Sequence, residues 1–207
     1  MSAEIEEGTL SLRERKKHRT RSALAETALD LFDADGFDGV TLDELVAAVE
    51  VSKRTFFRYF DSKEDVAFTS GKQLWSAVLA EAETFVPEGT VLDGLVDLLV
   101  GVLGGMGADW ADRHRRLQRL LESTPVLRGY AREYCDAVSR ELVSMLTARL
   151  GSKVERLTLR MVVELMLAAW HCGVRDWSES GGRGAAGLAR RVRAAADTLP
   201  ACLALTG

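Results

Sequence analysis

The chain has 207 residues, 47% hydrophobic and 28% charged, with a formal net charge of −4, which is the balance of a protein that buries a core and excludes the disordered and low-complexity classes. The longest apolar run, Leu98 to Ala108, lies between Asp97 and Asp109 and falls short of the roughly 20 residues a membrane span needs. An acidic amino terminus without an apolar stretch, and three cysteines (Cys135, Cys172, Cys202) without CxxC spacing, predict a cytoplasmic protein with no membrane partner, no disulfide framework and no zinc site.

Residues 1–11 read as a flexible arm. Ser11 followed by Glu14 is a capping box, and apolar positions then recur at Leu24, Ala28, Leu31 and Phe32, so a helix is predicted over 12–35. Gly36 suits its left-handed stop, with Phe37 placed to pack back on Phe32. Between Arg13 and Arg21 this helix carries six cations (Arg13, Arg15, Lys16, Lys17, Arg19, Arg21) against Glu14 alone. The helix dipole disfavours positive charge at that end, so an external anion is the expected partner. The stretch Glu26 to Glu50, by contrast, is strongly acidic.

Thr41 followed by Glu44 is a second capping box, and Leu42, Leu45, Val46 and Val49 give a short apolar face. Ser52 can cap a third helix through Phe60, anchored by Val51, Phe56 and Phe60. Ser62 followed by Asp65 caps a fourth. Two short helices joined by a tight turn make a helix-turn-helix, whose second helix enters the major groove of DNA with its first residues toward base edges. Here those residues are Lys53, Arg54 and Thr55: cations pair with guanine edges, and a threonine methyl meets thymine.

The stretch Ala25 to Phe68 resembles the amino-terminal domain of TetR-type transcriptional regulators. The matching features are Gly36-Phe37 closing the first helix, Thr41 opening the second, Val51-Ser52 before the third, and Phe60-Asp61-Ser62-Lys63-Glu64 entering the fourth. The resemblance implies that Thr41 contacts a phosphate, that Lys53, Arg54 and Thr55 face bases or nearby phosphates, and that Tyr59 and Lys63 grip the DNA backbone. Phe57 stands where many members have Tyr, which removes a phosphate hydrogen bond and keeps apolar contact. Arg58 stands where many have His or Trp.

From Ser62 onward no segment alternates like a strand, and helices are predicted over 62–85, 91–105, 109–122, 124–150, 153–178 and 184–205. Pro87, Pro125, Gly151 and Gly181-Gly182 punctuate them, and Pro200 interrupts the last. The fold class is therefore all-α, with a three-helix DNA-binding unit at 12–61 and a helical ligand-binding and dimerisation bundle at 62–207. Met161 to Trp170 is apolar nearly all round, which requires burial on more than one face. Val162, Leu165, Ala169 and the alanine-rich last segment are expected to bury against a second copy. The resemblance implies the same, because the family's last two long helices pair into a dimer interface.

Trp75, Met106, Trp110, Tyr130, Tyr134, Met166 and Trp170, with His114 and His171 as polar groups, are candidates to line an apolar ligand cavity. Ser123 to Arg128 (STPVLR) is similar to an actinobacterial TetR subgroup that senses acyl-CoA-like ligands. His171 and Cys172 are adjacent and make a poor metal pair. The glycine-rich run at 101–107 lacks the Lys-Ser/Thr of a phosphate loop, and there is no GxSxG. No catalytic residue, metal or cofactor is assigned. The expected function is a homodimeric regulator, a repressor released from a palindromic DNA operator by a small-molecule effector. The alternatives are a TetR-type activator and, from another class, a helical enzyme or carrier for an apolar substrate.

Overall fold

The computed structural model describes residues 11–86, 89–151 and 154–205, and among them the regular structure is α-helical. Helix α1 spans Leu12–Asp35. Ser11 Oγ accepts from the Glu14 amide at 3.2 Å, and the Glu14 carboxylate accepts from the Ser11 amide at 2.9 Å, so the predicted capping box forms. Gly36 closes the helix at φ +75°, a backbone conformation that a Cβ would strain. The chain thereby doubles back, and the Phe37 ring lies 5.0 Å from Phe32. The expected arm, apart from Ser11, lies outside the described residues.

Helix α2 (Leu42–Ala48) ends in a Schellman arrangement: the Val51 amide donates to Val46 O at 3.0 Å and the Glu50 amide to Ala47 O at 3.1 Å. Glu50 takes the left-handed position at φ +54°, where glycine is the usual occupant. Helix α3 is Lys53–Phe56, shorter than the predicted 52–60. Beyond Phe56 the bonding tightens, with Arg58 N donating to Thr55 O (3.3 Å) and Tyr59 N to Phe56 O (2.8 Å). That turn lets Phe56 and Phe60 enter the core together, both 2% exposed or less.

The predicted fourth helix is two: α4, Lys63–Ala67, and α5, Thr69–Ala82. The chain breaks at Phe68 because its ring turns inward over Gly71, where a Cβ would stand 2.5 Å from the ring tip. The ring then meets Tyr130 and Tyr134 at 5.8 and 5.4 Å. Helices α6 (Val91–Gly105), α7 (Ala108–Ser123) and α8 (Pro125–Leu150) follow the predicted spans closely. Helix α9 is Arg156–Glu179, starting after the predicted 153. The last segment splits at Thr198 into α10 (Ala185–Asp197) and α11 (Leu199–Leu203), as Pro200 requires. The expected break at Pro87 lies outside the described residues.

Two apolar cores result. The smaller gathers Leu24, Phe32, Leu45, Phe56 and Phe60, and continues past residue 61 into Val66, Phe68, Leu117, Leu120 and Leu127. The larger is built from α5 to α10 around Trp75, Leu99, Met166, Trp170 and Leu188. Helices α9 and α10 approach so closely that a Cβ on Gly173 would lie 2.6 Å from Val192 Cα.

This packing corrects one expectation. Ala169 is 2% exposed within the single chain, because it shares the inward face of α9 with Val163, Met166, Trp170 and Gly173. Val162 and Leu165 are half-buried. The outward apolar side chains of α9 are instead Leu157 and Met161, 62% and 54% exposed, with Ala168 and Cys172 further along. Helix α9 is long and apolar enough to cross a membrane by composition, but its inner face is packed on α8 and α10.

Candidate nucleic-acid interface

Three short helices with side-chain caps build a surface from few residues. Thr41 Oγ1 accepts from the Glu44 amide at 3.2 Å and donates to the Glu44 carboxylate at 2.8 Å. Hydrogen bonds from the Thr41 amide and hydroxyl hold the Glu44 carboxyl below its ordinary pKa. Ser52 Oγ accepts from the Thr55 amide at 3.1 Å and lies 3.0 Å from Thr55 Oγ1. The hydroxyls of Thr41 and Thr55 are thus engaged in shaping helix starts, with Thr41 still exposed and Thr55 half-buried.

Lys53, Arg54, Phe57 and Arg58 are all exposed on α3 and the turn after it. Phe57 is 53% exposed and stands edge-on to Phe56 at 5.5 Å. Arg58 lies over the Tyr59 ring at 5.0 Å and donates to its hydroxyl at 3.1 Å. Lys53 pairs with Asp43 of α2 at 2.9 Å, so an incoming phosphate or base must compete with that carboxylate. In α1, Arg13, Arg15, Lys16, Lys17, Arg19 and Arg21 are exposed, and none takes part in an ion pair among the described residues. Arg21 sits over the Phe60 ring at 5.7 Å, which ties the basic half of α1 to the end of the α3 segment. The structure therefore gathers onto adjoining elements the cations that the sequence holds in two separate groups.

Lys63 is the departure. Its ammonium donates to Phe37 O at 2.6 Å and Val40 O at 2.8 Å, and lies 4.3 Å from the Phe37 ring centre. In the DNA-free chain two of its donors are engaged in an internal clamp, because the loop after Gly36 presents two carbonyls where the side chain arrives. Only knowledge of how that loop folds back could have revealed this.

A model of bacterial regulatory proteins of the tetR family matches residues 24–68, and a model described as the MftR C-terminal domain matches residues 90–204, more than half of the chain. The chain belongs to the TetR family. It is a DNA-binding transcriptional regulator. Its sequence is 34% identical over 173 residues to the HTH-type transcriptional regulator TcmR of Streptomyces glaucescens, covering 80% of this chain and 76% of that protein. It is 25% identical over 166 residues to MftR of Mycobacterium tuberculosis (strain ATCC 25618 / H37Rv), which is named as a regulator of mycofactocin biosynthesis, covering 79% and 82%. The fold is shared with a transcriptional regulator from Aquifex aeolicus VF5 (TM-score 0.55, 18% identity, 87% of this chain and 99% of that one) and with Salmonella enterica GusR (0.55, 18%, 90% and 96%).

The TetR-family bundle does not bring the seven candidate ligand residues together. Trp75, Trp110, Met166 and Trp170 are 4% exposed or less and fill the larger core themselves. Trp75 and Trp170 meet edge-on at 5.5 Å, and Trp110 stacks on His114 at 4.7 Å and donates to Ser70 O at 2.9 Å. Complete burial pushes His114 down from 6.5 to about 3. Tyr130 joins the smaller core and Tyr134 packs against both cores, the two rings lying 5.8 and 5.6 Å from the Lys72 ammonium, which bonds Asp65 at 2.6 Å. Met106 lies on a surface groove of about 520 Å³ with Ala77, Glu81, Leu98, Gly101, Val102 and Gly105. Helical spacing marked these side chains as large and inward but could not say which interior each one reaches.

Among residues that sequence reasoning passed over, Arg116 stands out. It binds Glu26, Asp30 and Asp33 across the α1–α7 contact. The three acids recur at i, i+4 and i+7, one face of a helix, which was the available signal.

Proposed function

We propose that this regulator is a homodimeric repressor that holds a palindromic operator through the α3 segments of two copies and is released by a small apolar or acyl-type effector. The observation that carries the reading is that Lys53, Arg54, Phe57 and Arg58 face solvent together on a segment whose other side, Phe56 and Phe60, is core. On this reading residues 12–61 are the DNA-binding unit, 62–207 the effector-binding and dimerising unit, and 1–11 an arm. Lys53 and Arg54 read base edges, Arg58 and Tyr59 hold phosphate, and Phe57 offers an apolar edge to a thymine methyl. Thr41, Thr55 and Lys63 position these groups.

The outward stripe of Leu157, Met161 and Ala168 on α9, with exposed Ala186 and Ala194 of α10, is the surface that pairs with the second copy. Large exposed apolar side chains of this kind mark association sites. The groove at Met106 has the volume of a small-molecule site and takes the apolar body of the effector. Its Glu81 carboxylate favours a neutral acyl or apolar compound over one with an anionic head.

Gel shifts of the protein on DNA upstream of its own gene, at two salt concentrations, test the reading. Affinity should fall steeply as salt rises, because each neutralised phosphate releases counterions. Lys53→Ala should cost about 1–3 kcal/mol on the operator and little on scrambled DNA. Lys63→Met should instead weaken both DNAs together and lower the melting temperature, since two carbonyls lose their donor. A binding constant that does not move with salt removes the DNA-facing assignment.

A further inference from the structure

Helix α7 presents three kinds of side chain to three neighbours. Trp110 enters the larger core with the buried His114 ring against it and Trp170, while Leu117 and Leu120 enter the smaller core with Leu24 and Phe32. Arg113, Arg116 and Arg119 recur every three residues and face α1. There Glu26, Asp30 and Asp33 answer them. Arg116 Nε donates to Asp33 at 2.6 Å, Nη1 to Glu26 at 3.1 Å and Nη2 to Asp30 at 2.6 Å, so each guanidinium nitrogen has its own carboxylate. The Arg116 side chain is 12% exposed. Arg113–Glu26 at 3.9 Å and Arg119–Asp33 at 3.5 Å flank it.

Exposed ion pairs contribute little to stability, and the three carboxylates are 32% to 66% exposed. What a filled guanidinium fork supplies is direction, because its donors lie in one rigid plane. The Leu117 and Leu120 contacts beside it are apolar and non-directional, so they hold α1 against α7 without fixing how it is turned. Helix α1 packs on α2 and α4 and carries the DNA-facing surface with it. Its orientation on α7, together with the Asp65–Lys72 pair and the Phe68 contacts on α8, therefore sets the orientation of Lys53 and Arg54 relative to the bundle.

We propose that Arg116 is a positioning residue that locks the DNA-binding unit to the bundle and thereby sets the half-site spacing the dimer accepts. The inference rests on the dimeric reading above, in which two recognition segments must match half-sites a fixed distance apart. With the lock open, the binding-competent orientation becomes a fraction of the ensemble, and apparent affinity falls by that fraction.

The test uses full-length protein, a duplex carrying the footprinted upstream palindrome, and duplexes with one or two base pairs inserted or removed between the half-sites. Wild type should prefer the natural spacing by about tenfold or more, and Arg116→Met should narrow that preference to about threefold or less. The salt slope should stay unchanged, because Arg116 meets no phosphate. Neutralising the partners in Glu26→Gln/Asp30→Asn/Asp33→Asn should narrow the preference equally, whatever the lost charge does to overall affinity. Combining the two sets should narrow it no further. The carboxylate variant also carries the test alone if Arg116→Met does not fold. Wild-type spacing preference in a folded variant overturns the proposal, as does equal weakening on every duplex with a shallower salt slope, which would make Arg116 a phosphate contact. A wild-type protein with no palindromic footprint removes the dimeric reading and this inference together.

Discussion

Three of the four helices before Phe68 are seven residues or shorter, and all four are opened by a serine or threonine side chain: Ser11, Thr41, Ser52 and Ser62. In the bundle α6 is capped by Thr90, but α5, α7, α8, α9 and α10 run from 13 to 26 residues and have no side-chain cap bond. A short helix has too few internal hydrogen bonds to offset its nucleation cost, so each satisfied end counts. A long helix buried along one face is held by its neighbours, and its ends can be left to water. The DNA-binding unit is thus specified locally and the bundle by long-range packing.

The strongest way to break this contrast is to place a charge on each face of α9. Ala169→Asp buries an unpaired carboxylate between α9 and its neighbours and should cost on the order of 3–5 kcal/mol, read as a collapse of urea stability. Met161→Lys lies on the outward stripe and should leave the single chain folded while abolishing self-association in sedimentation. If Ala169→Asp merely yields folded monomers, the inward assignment of that face is wrong.

A smaller effect comes from His114, the buried histidine between Trp110 and Trp170. Its folded pKa, about 3, lies below the unfolded value of 6.5, so the unfolded chain takes up the proton first as pH falls. The stability present above pH 6.5 is then lost progressively toward pH 3. At pH 4.5 the loss should be about 2–3 kcal/mol at 1.36 kcal/mol per unit. His114→Gln carries no such charge, and its stability between pH 7 and 4.5 should decline less steeply than wild type. Equal slopes would mean that the folded histidine titrates normally.

The smallest change sharpens the local side. Thr41→Ala removes one cap and should cost about 1 kcal/mol, with hydrogen exchange accelerated in α2 and unaltered in α9. A global loss of protection would show that the two regions unfold as one.

The legible parts of the sequence follow the same division. Capping boxes at Ser11 and Thr41 and the glycine at 36 predicted both ends of α1 and the start of α2 to the residue, because each signal acts within four residues of itself. The break at Phe68 was not legible, since it depends on a ring finding Gly71, Tyr130 and Tyr134. The start of α9 moved because no side chain marks it.

The sequence by itself determined the helix starts of the DNA-binding unit, its exposed cations, and the membership of large side chains in some core. These are properties of neighbours along the chain, where spacing and charge act directly. Only the tertiary structure decided that Lys63 clamps a loop, that Ala169 points inward, that Trp75 and Tyr130 belong to different clusters, and that Arg116 meets three acids some 83 to 90 residues away. Such choices depend on which faces meet after the chain has folded back, and helical periodicity says that a face is apolar or charged without saying what covers it.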